Sequence, residues 1–345
     1  MELESCIRQS GNEVAPDRYL ADQGRERSDL LRRFAAMPYT MDLKLMGRVV
    51  RLESNRQSVL DVAAKFFEQY QHGGSSEPEF CWRLICESDP KVRSTAVPLS
   101  AFSDAAVNYV NVGQRGFLAV DLEQREGVGV LPEIFFEGEA RLRDRPPLDI
   151  LFCMTAASMG IVSLSGGSVG ANGRGVMVFG PPNSGKSTAC YLAAGAGMEF
   201  QSDQVVFLDA RSDGSVWGDP FPAVFRPETL KFIPDLAKDV HHSSYADLSF
   251  CYFDKSRLQP REATAMEPVC SLFLDRRAGS ETRLREISEK DAAARLRRSV
   301  LFEEEERFEE QTMSAVRALA EKPAYELCYD SDPKIAAAFI RSLLR

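Results

Sequence analysis

The chain has 345 residues, of which 44% are hydrophobic, and carries a formal net charge of −9. This length is sufficient for two domains with their own cores, and the acidic balance argues against a general nucleic-acid-binding protein. The eight cysteines contain no C-x-x-C pair and are best interpreted as small buried hydrophobic residues. The polar N-terminus lacks a secretory signal, and the longest apolar stretch, 150–164, is too short to span a bilayer. We therefore expect a cytoplasmic protein with no membrane segment.

The first 150 residues predict a small α/β domain behind a polar extension. Residues 1–38 are polar and charged, and we interpret them as the extension. The sequence MDLKLMGRVVRLES alternates on both sides of Gly47, which predicts two strands joined by a tight turn. Residues 58–70 have apolar positions at helical spacing. Further strands are predicted at 80–86, 106–112, 116–122 and 127–131. Residues 39–147 are thus predicted to form the N-terminal domain. This domain is either a structural or oligomerising cap or a substrate-recognition domain.

The pair Pro146-Pro147 marks a domain boundary, and residues 148–345 are predicted to form the second domain. A helix at 148–159 leads into a strand at 161–164. A turn around Asn172-Gly173 then predicts a hairpin, which favours a mixed sheet over a doubly wound parallel one. Later strands are predicted at 204–209, 216–217 and 268–275, and helices at 289–300, 303–320 and 333–345.

Residues 180–187, GPPNSGKS, match the pattern G-x-x-x-x-G-K-[ST] without a mismatch. The run GVMVF before them is apolar and partly β-branched, which is typical of a buried strand. The run STACYLAAGA after them is rich in helix formers. This strand–loop–helix context is what a phosphate-binding loop requires, so the segment predicts nucleotide binding.

Each residue type in the motif has a chemical reason to be there. Pro181 and Pro182 lack a backbone N–H, so the amides from 183 to 188 are left to form an anion-binding nest. Lys186 is expected to reach the β- and γ-phosphates, and the Ser187 hydroxyl is expected to bind Mg²⁺. Thr188 either contacts an α-phosphate or bonds its own backbone. The predicted nucleotide contacts are Gly180, Asn183, Ser184, Gly185, Lys186, Ser187 and Thr188.

A Mg²⁺-nucleotide site also needs a carboxylate near Ser187, and the sequence offers two with equal weight. Asp209 ends the apolar run 204–209, but it also opens a turn, where Asp is common. Asp203 lies in the loop that enters the same strand. Arg226 is a candidate for stabilising the charge of a transferred phosphoryl group. The alternative cations are Lys255, Arg257, Arg276 and Arg277.

Several segments occur in the same order in a known family: Asn172-Gly173-Arg174-Gly175-Val176, the 180–187 motif, 199–209, the proline-rich stretch through Leu230, and Tyr325-Glu326-Leu327. Over residues 150–345 the chain resembles the catalytic domain of HPr serine kinase/phosphorylase and related proteins. That family shares the P-loop architecture of phosphoenolpyruvate carboxykinase. The resemblance implies an α/β protein with a P-loop mixed β-sheet domain and a smaller N-terminal α/β domain.

The resemblance also implies an activity, the ATP-dependent phosphorylation of a serine hydroxyl on a protein, peptide or small molecule. The implied cofactors are ATP and Mg²⁺. Asp203 matches the first acid of the family's Asp-Asp pair and would hold Mg²⁺ or orient and deprotonate the acceptor, whereas Asp209 becomes a turn residue. Two positions depart from the family. Ser165 stands where a histidine is usual, and Gln204 replaces the second acid. Because glutamine cannot accept a proton as a carboxylate does, both departures concern proton handling rather than nucleotide binding.

Three activities are therefore open. The first is an ATP-dependent kinase that uses Lys186, Asp203 and Arg226. The second is an inactive or weakly active ATP-binding regulatory module, a pseudo-kinase. The third is nucleotide hydrolysis or another P-loop chemistry.

Overall fold

The structure is a computed structural model that describes residues 35–70, 77–88, 99–104, 106–112, 116–136, 146–211, 214–220, 223–225, 227–234, 240–245, 248–253, 265–301 and 306–344. Residues Met37–Arg345 form one compact unit, and this unit is the one described below. The unit Met1–Ala36 has only its last two residues described. The polar extension predicted at 1–38 therefore lies almost wholly outside the described residues.

The N-terminal part contains a seven-stranded sheet in the order β1-β2-β3-β7-β6-β5-β4. Met46 and Gly47 both have positive φ at the turn between β1 and β2, as the predicted hairpin requires. The β2 and β3 strands are parallel, and helix α1 (Gln57–Phe66) connects them. The strands are β1 (Tyr39–Leu45), β2 (Arg48–Ser54), β3 (Phe80–Glu87), β4 (Leu99–Asp104), β5 (Val107–Val112), β6 (Gly116–Asp121) and β7 (Glu126–Pro132). The strands predicted in this region are confirmed, and β4 was missed.

The described residues after position 146 add three further sheets, so the fold is mixed α/β. A six-stranded sheet has the order β11-β9-β10-β17-β19-β18, and two three-stranded sheets have the orders β13-β12-β8 and β14-β16-β15. The strands are β8 (Ile161–Ser165), β9 (Gly167–Ala171), β10 (Arg174–Phe179), β11 (Glu199–Ser202), β12 (Val205–Asp209), β13 (Val216–Trp217), β14 (Ala223–Phe225), β15 (His241–Tyr245), β16 (Leu248–Phe253), β17 (Glu267–Arg276), β18 (Arg283–Glu286) and β19 (Ala324–Tyr329). The helices are α2 (Pro146–Ser158), α3 (Lys186–Gly195), α4 (Glu289–Arg297), α5 (Glu306–Ala320) and α6 (Pro333–Leu343). None of the helices in the described part of the chain combines the length and apolar character that a membrane crossing needs.

In the six-stranded sheet, β10 is antiparallel to its neighbour on one side and parallel to its neighbour on the other. The β9–β10 hairpin turns at Asn172 and Gly173, which have φ of 53° and 73°. This geometry suits an Asn-Gly turn, and the predicted hairpin is confirmed. On its other side β10 is parallel to β17, which is parallel to β19. The mixed sheet that the hairpin predicted is therefore present.

One hydrophobic core joins residues on both sides of the predicted boundary at 147. The Phe152 ring of α2 lies 5.8 Å from the ring of Phe67 and 4.9 Å from that of Phe207 (centroid distances). Phe67 follows α1, and Phe207 belongs to β12. The division into residues 39–147 and 148–345 stays a prediction, and α2 packs against both parts.

This shared core predicts one unfolding transition. Because Phe152 is fully buried, Phe152→Ala is expected to lower the free energy of unfolding by about 3–5 kcal/mol. Urea denaturation followed by tryptophan fluorescence should give one midpoint for Trp82 in β3 and Trp217 in β13. In the variant both tryptophans should show the same lowered midpoint. Leu301→Ala is the exposed control, with little expected effect. Two separate midpoints for the two tryptophans would contradict the shared core.

Candidate functional site

The 180–187 loop connects the carboxyl end of β10 to α3, so a strand and a helix flank the motif as its sequence predicts. Gly180, Asn183 and Gly185 have positive φ of 149°, 66° and 91°. A Cβ at Gly180 would lie 2.6 Å from Ser184 Oγ and 2.7 Å from the carbonyl oxygen of Leu274. The loop conformation therefore requires glycine at position 180.

Helix α3 begins with unsatisfied backbone donors. Gly185 is its N-cap, and no side chain makes a capping hydrogen bond there. The Ala189 amide donates to the Gly185 carbonyl at 2.9 Å, and the amides of the three preceding residues have no acceptor inside the helix. These amides add to the positive end of the helix dipole. The arrangement suits an anion at this helix end.

Ser184 differs from its neighbours in the loop. Its N–H donates to the Pro181 carbonyl at 3.1 Å, so this amide is used within the loop itself. The sequence had placed it among the anion-binding amides. The buried Ser184 Oγ has no hydrogen-bond partner. The main-chain carbonyl of Ser184 accepts a hydrogen bond from the Tyr329 hydroxyl at 2.6 Å.

The Lys186 side chain folds back across the loop. Its Nζ donates to the carbonyl oxygens of Gly180 at 2.7 Å and Pro181 at 3.2 Å. Burial lowers the pKa of Lys186, because the charged ammonium loses part of its hydration. An anion in the loop would compensate this buried charge better than two neutral carbonyls do.

The turn after β11 lies against the first two turns of α3. Ser187 Oγ donates to the main-chain carbonyl of Asp203 at 3.3 Å. Tyr191, four residues further along the same helix face, lies close enough to Asp203 to feel its charge. Burial and the neighbouring Asp203 charge raise the pKa of Tyr191, so its hydroxyl keeps its proton. Sequence reasoning placed Ser187 and Asp203 together, but nothing in it indicated Tyr191.

Asp219 is a second buried acid that the sequence did not single out. The Ser202 hydroxyl donates to Asp219 Oδ2 at 2.5 Å, and the Val205 amide donates to the same oxygen at 3.3 Å. Asp219 is fully buried. It therefore holds both ends of the turn that carries Asp203. Its position between Gly218 and Pro220 resembles an ordinary turn, which is why the pattern gave no signal.

Asp209 is committed to a different contact. Arg48 Nη2 lies 3.2 Å from its Oδ1 and 3.0 Å from its Oδ2, and the Arg211 amide donates to Oδ1 at 2.9 Å. Asp209 ends β12, whereas Val205, near Ser187, begins it. Four residues of strand separate these ends by about 13 Å. Of the two candidate acids, Asp203 is the one beside Ser187.

The two positions that depart from the family pattern are neighbours. Ser165 pairs with Val205 in the β8–β12 ladder, and the Gly166 amide donates to the Gln204 carbonyl at 3.0 Å. Ser165 and Gln204, the two positions at which the sequence departs from the family that it resembles, thus occur side by side next to Asp203. Both departures therefore concern the surroundings of the same residue, Asp203.

The candidate cations differ in what the structure shows of them. Arg226, Lys255 and Arg257 lie outside the described residues. Arg277 forms an ion pair with Asp275 at 2.6 Å. Arg276 ends β17, and its charge opposes the increase that burial causes in the pKa of Tyr329. Arg276 therefore acts electrostatically on the residue that contacts the loop at Ser184.

Comparisons with known proteins identify no family for this chain. A scan against protein-family models gave no match, and a search of the curated proteins gave none. Among solved structures, the chain has a likeness to the Hpr(Ser) kinase/phosphatase from Coxiella burnetii. The match has 8% sequence identity and a TM-score of 0.26, and it covers 52% of this chain and 94% of that one. A likeness at this level carries no argument about fold or function.

The assignment of Asp209 to a structural ion pair can be tested by stability. Asp209→Asn is expected to lower the free energy of unfolding by about 1–3 kcal/mol, because the half-buried Arg48 loses its charged acceptor. The double variant Asp209→Asn, Arg48→Met should lose less free energy of unfolding than the two single variants lose in sum. Additive effects in this urea-denaturation cycle would contradict the pairing.

Proposed function

We propose that the chain is an ATP-dependent kinase that transfers the γ-phosphoryl group to a serine-type hydroxyl of a protein, peptide or small molecule. The observation that carries this proposal is the contact between Ser187, in the first turn of α3, and the turn that carries Asp203. That contact brings the end of a G-x-x-x-x-G-K-[ST] loop next to a carboxylate residue. The combination is what Mg²⁺-nucleotide chemistry requires.

The loop suits a polyphosphate. Helix α3 presents its uncapped amides, and Lys186 supplies a cation already held above the loop. On this proposal a phosphate replaces the carbonyls of Gly180 and Pro181 as the acceptors of the Lys186 ammonium. The change replaces neutral acceptors with charged ones, so that the ammonium forms an ion pair instead of bonding only to carbonyl dipoles.

The oxygen donors also suit Mg²⁺. Ser187 supplies a hydroxyl 3.3 Å from the main-chain carbonyl of Asp203, and the same residue carries a carboxylate. Magnesium binds to proteins through one or two such groups and completes its shell with water and phosphate oxygens. Within the described ranges no cluster of three or more His, Cys, Asp or Glu residues is arranged to hold a metal. When bound, Mg²⁺ would neutralise phosphate charge.

The chain's own residues then have distinct tasks in transfer. Lys186 binds the phosphates, and Asp203 orients the acceptor hydroxyl or takes its proton. A cation would stabilise the charge of the transferred phosphoryl group. Arg276, at the carboxyl end of β17, is one candidate, and Arg226 remains the candidate that the sequence predicts. Loose phosphoryl-transfer transition states depend mainly on positioning and charge stabilisation, so transfer does not require a second acid at Gln204.

One observation favours a second function, an ATP-binding regulatory module without transfer. Asp203 is 1% exposed, and its charge lies beside the buried hydroxyl of Tyr191. The adjacent positions carry Ser165 and Gln204, neither of which is a base at neutral pH. In this arrangement phosphate binding by the loop needs no movement of Asp203, whereas proton transfer to its carboxylate does.

A thermal shift measurement tests binding. Mg²⁺ with ATP at about 100 times its Kd should stabilise the wild type by about 2.7 kcal/mol, seen as a higher Tm. Lys186→Ala should abolish the shift, and Asp203→Asn should remove the part that depends on Mg²⁺. Lys44→Ala, an exposed change on β1, is the matched control and should keep the full shift. The proposal fails if the wild type shows no shift.

Label transfer from γ-labelled ATP separates the kinase from the module. The kinase proposal expects labelled serine on candidate peptides or small-molecule acceptors with the wild type, and none with Asp203→Asn. Gln204→Asp should leave this transfer unchanged or reduce it. If transfer occurs only after Gln204→Asp, the wild-type chain is the regulatory module.

A further inference from the structure

We infer that Tyr329 is a positioning residue for the phosphate-binding loop: its hydroxyl sets the orientation of the Ser184–Gly185 peptide. This inference rests on the proposed nucleotide site. The Tyr329 hydroxyl donates to the Ser184 carbonyl at 2.6 Å, and the two residues are 145 positions apart in the chain. A contact this distant in sequence is made by the sheet, not by the loop itself.

The strand order explains how Tyr329 reaches the loop. Strands β10, β17 and β19 are adjacent and parallel, so their carboxyl ends share one edge. Phe179 pairs with Phe273, which pairs with Glu326. Tyr329 is three residues beyond Glu326, about 10 Å further along the strand direction. It therefore extends past the end of β10, to the level at which the loop passes over the sheet.

The hydrogen bond fixes the direction of a neighbouring donor. The C=O and N–H groups of a trans peptide point in opposite directions. Because the Ser184 carbonyl points at Tyr329, the Gly185 N–H in the same peptide points away from it. Gly185 caps α3, so this amide extends the row of unsatisfied donors at the helix start. Without the hydroxyl, nothing else in the described contacts of Ser184 holds this carbonyl.

The contact also accounts for Gly185. A Cβ at this position would lie 2.6 Å from the Tyr329 hydroxyl, so the pair Gly185 and Tyr329 must fit together. The backbone of Tyr329 is itself fixed, because its carbonyl accepts from the Arg277 amide at 2.9 Å. Burial raises the pKa of Tyr329 to about 12, so the hydroxyl remains a donor at neutral pH.

Tyr329→Phe tests the inference, because it removes the hydroxyl and keeps the buried ring. Affinity for ATP, measured by calorimetry on the full chain, should fall roughly three- to tenfold, the effect of one hydrogen bond. Inorganic tripolyphosphate should lose the same factor, since only phosphates contact the loop amides. The ratio of affinities with Mg²⁺ and with EDTA should stay unchanged. Tyr325→Phe, the same change on the half-buried start of β19, is the control and should bind like the wild type.

The outcomes separate the inference from the proposed function. If the wild type binds neither ATP nor tripolyphosphate, the proposed function fails. If the wild type binds and Tyr329→Phe binds equally well, or loses affinity for ATP but not for tripolyphosphate, the inference is wrong. A merely structural role would lower the ligand-free Tm without changing either affinity.

A second variant keeps the test decisive if Tyr329→Phe does not fold. Incorporation of 3,5-difluorotyrosine at position 329 keeps the ring and the hydroxyl but gives a more acidic phenol. Once ionised, this oxygen cannot donate to the Ser184 carbonyl. Tripolyphosphate affinity should therefore fall with rising pH more steeply in this variant than in the wild type. Identical pH profiles would overturn the inference.

Discussion

The parallel arrangement of β10, β17 and β19 is the constraint on which the site depends. Because these strands end at one edge, the loop after β10 is supported by groups from both neighbours. The Leu274 carbonyl of β17 leaves no room for a side chain at Gly180, and the Tyr329 hydroxyl of β19 holds Ser184. The two supports act on the start and the end of the loop. Its shape therefore follows from the sheet as much as from its own glycines.

A second group of contacts binds α3 to the turn between β11 and β12. On the helix side, Ser187 donates to the main-chain carbonyl of Asp203 and Tyr191 lies near its charge, and on the other side Ser202 donates to Asp219. Buried polar groups are costly unless they are hydrogen-bonded, so these contacts stabilise one conformation of the turn. The same contacts keep the Asp203 carboxylate out of solvent. Under the proposed kinase function, phosphoryl transfer would therefore depend on release of Asp203 from this buried position.

The N-terminal sheet supports this turn from a distance. Tyr70 donates to the Gly218 carbonyl at 2.8 Å, next to Asp219, and Arg48 pairs with Asp209 at the other end of β12. A Cβ at Gly47 would lie 3.4 Å from the Trp217 ring. The β1–β2 hairpin and the segment after α1 therefore contact the strands that carry the buried acids. These contacts give the N-terminal region a structural role toward the turn that carries Asp203.

The sequence by itself determined the local features. Hydrophobic alternation around Gly47, the Asn172-Gly173 turn and the apolar run before Gly180 each specify an element through nearby residues, and the structure contains all of them. It also indicated the contact between Ser187 and Asp203, through the resemblance to a family. The residue pattern left Asp203 and Asp209 equal, and the resemblance favoured Asp203. Which end of β12 lies beside α3 is visible only in the tertiary structure, where Ser187 contacts Asp203 and Arg48 pairs with Asp209. Tyr329, Tyr191 and Asp219 could not be found from the sequence, since their roles arise from strand order and burial rather than from any spacing along the chain.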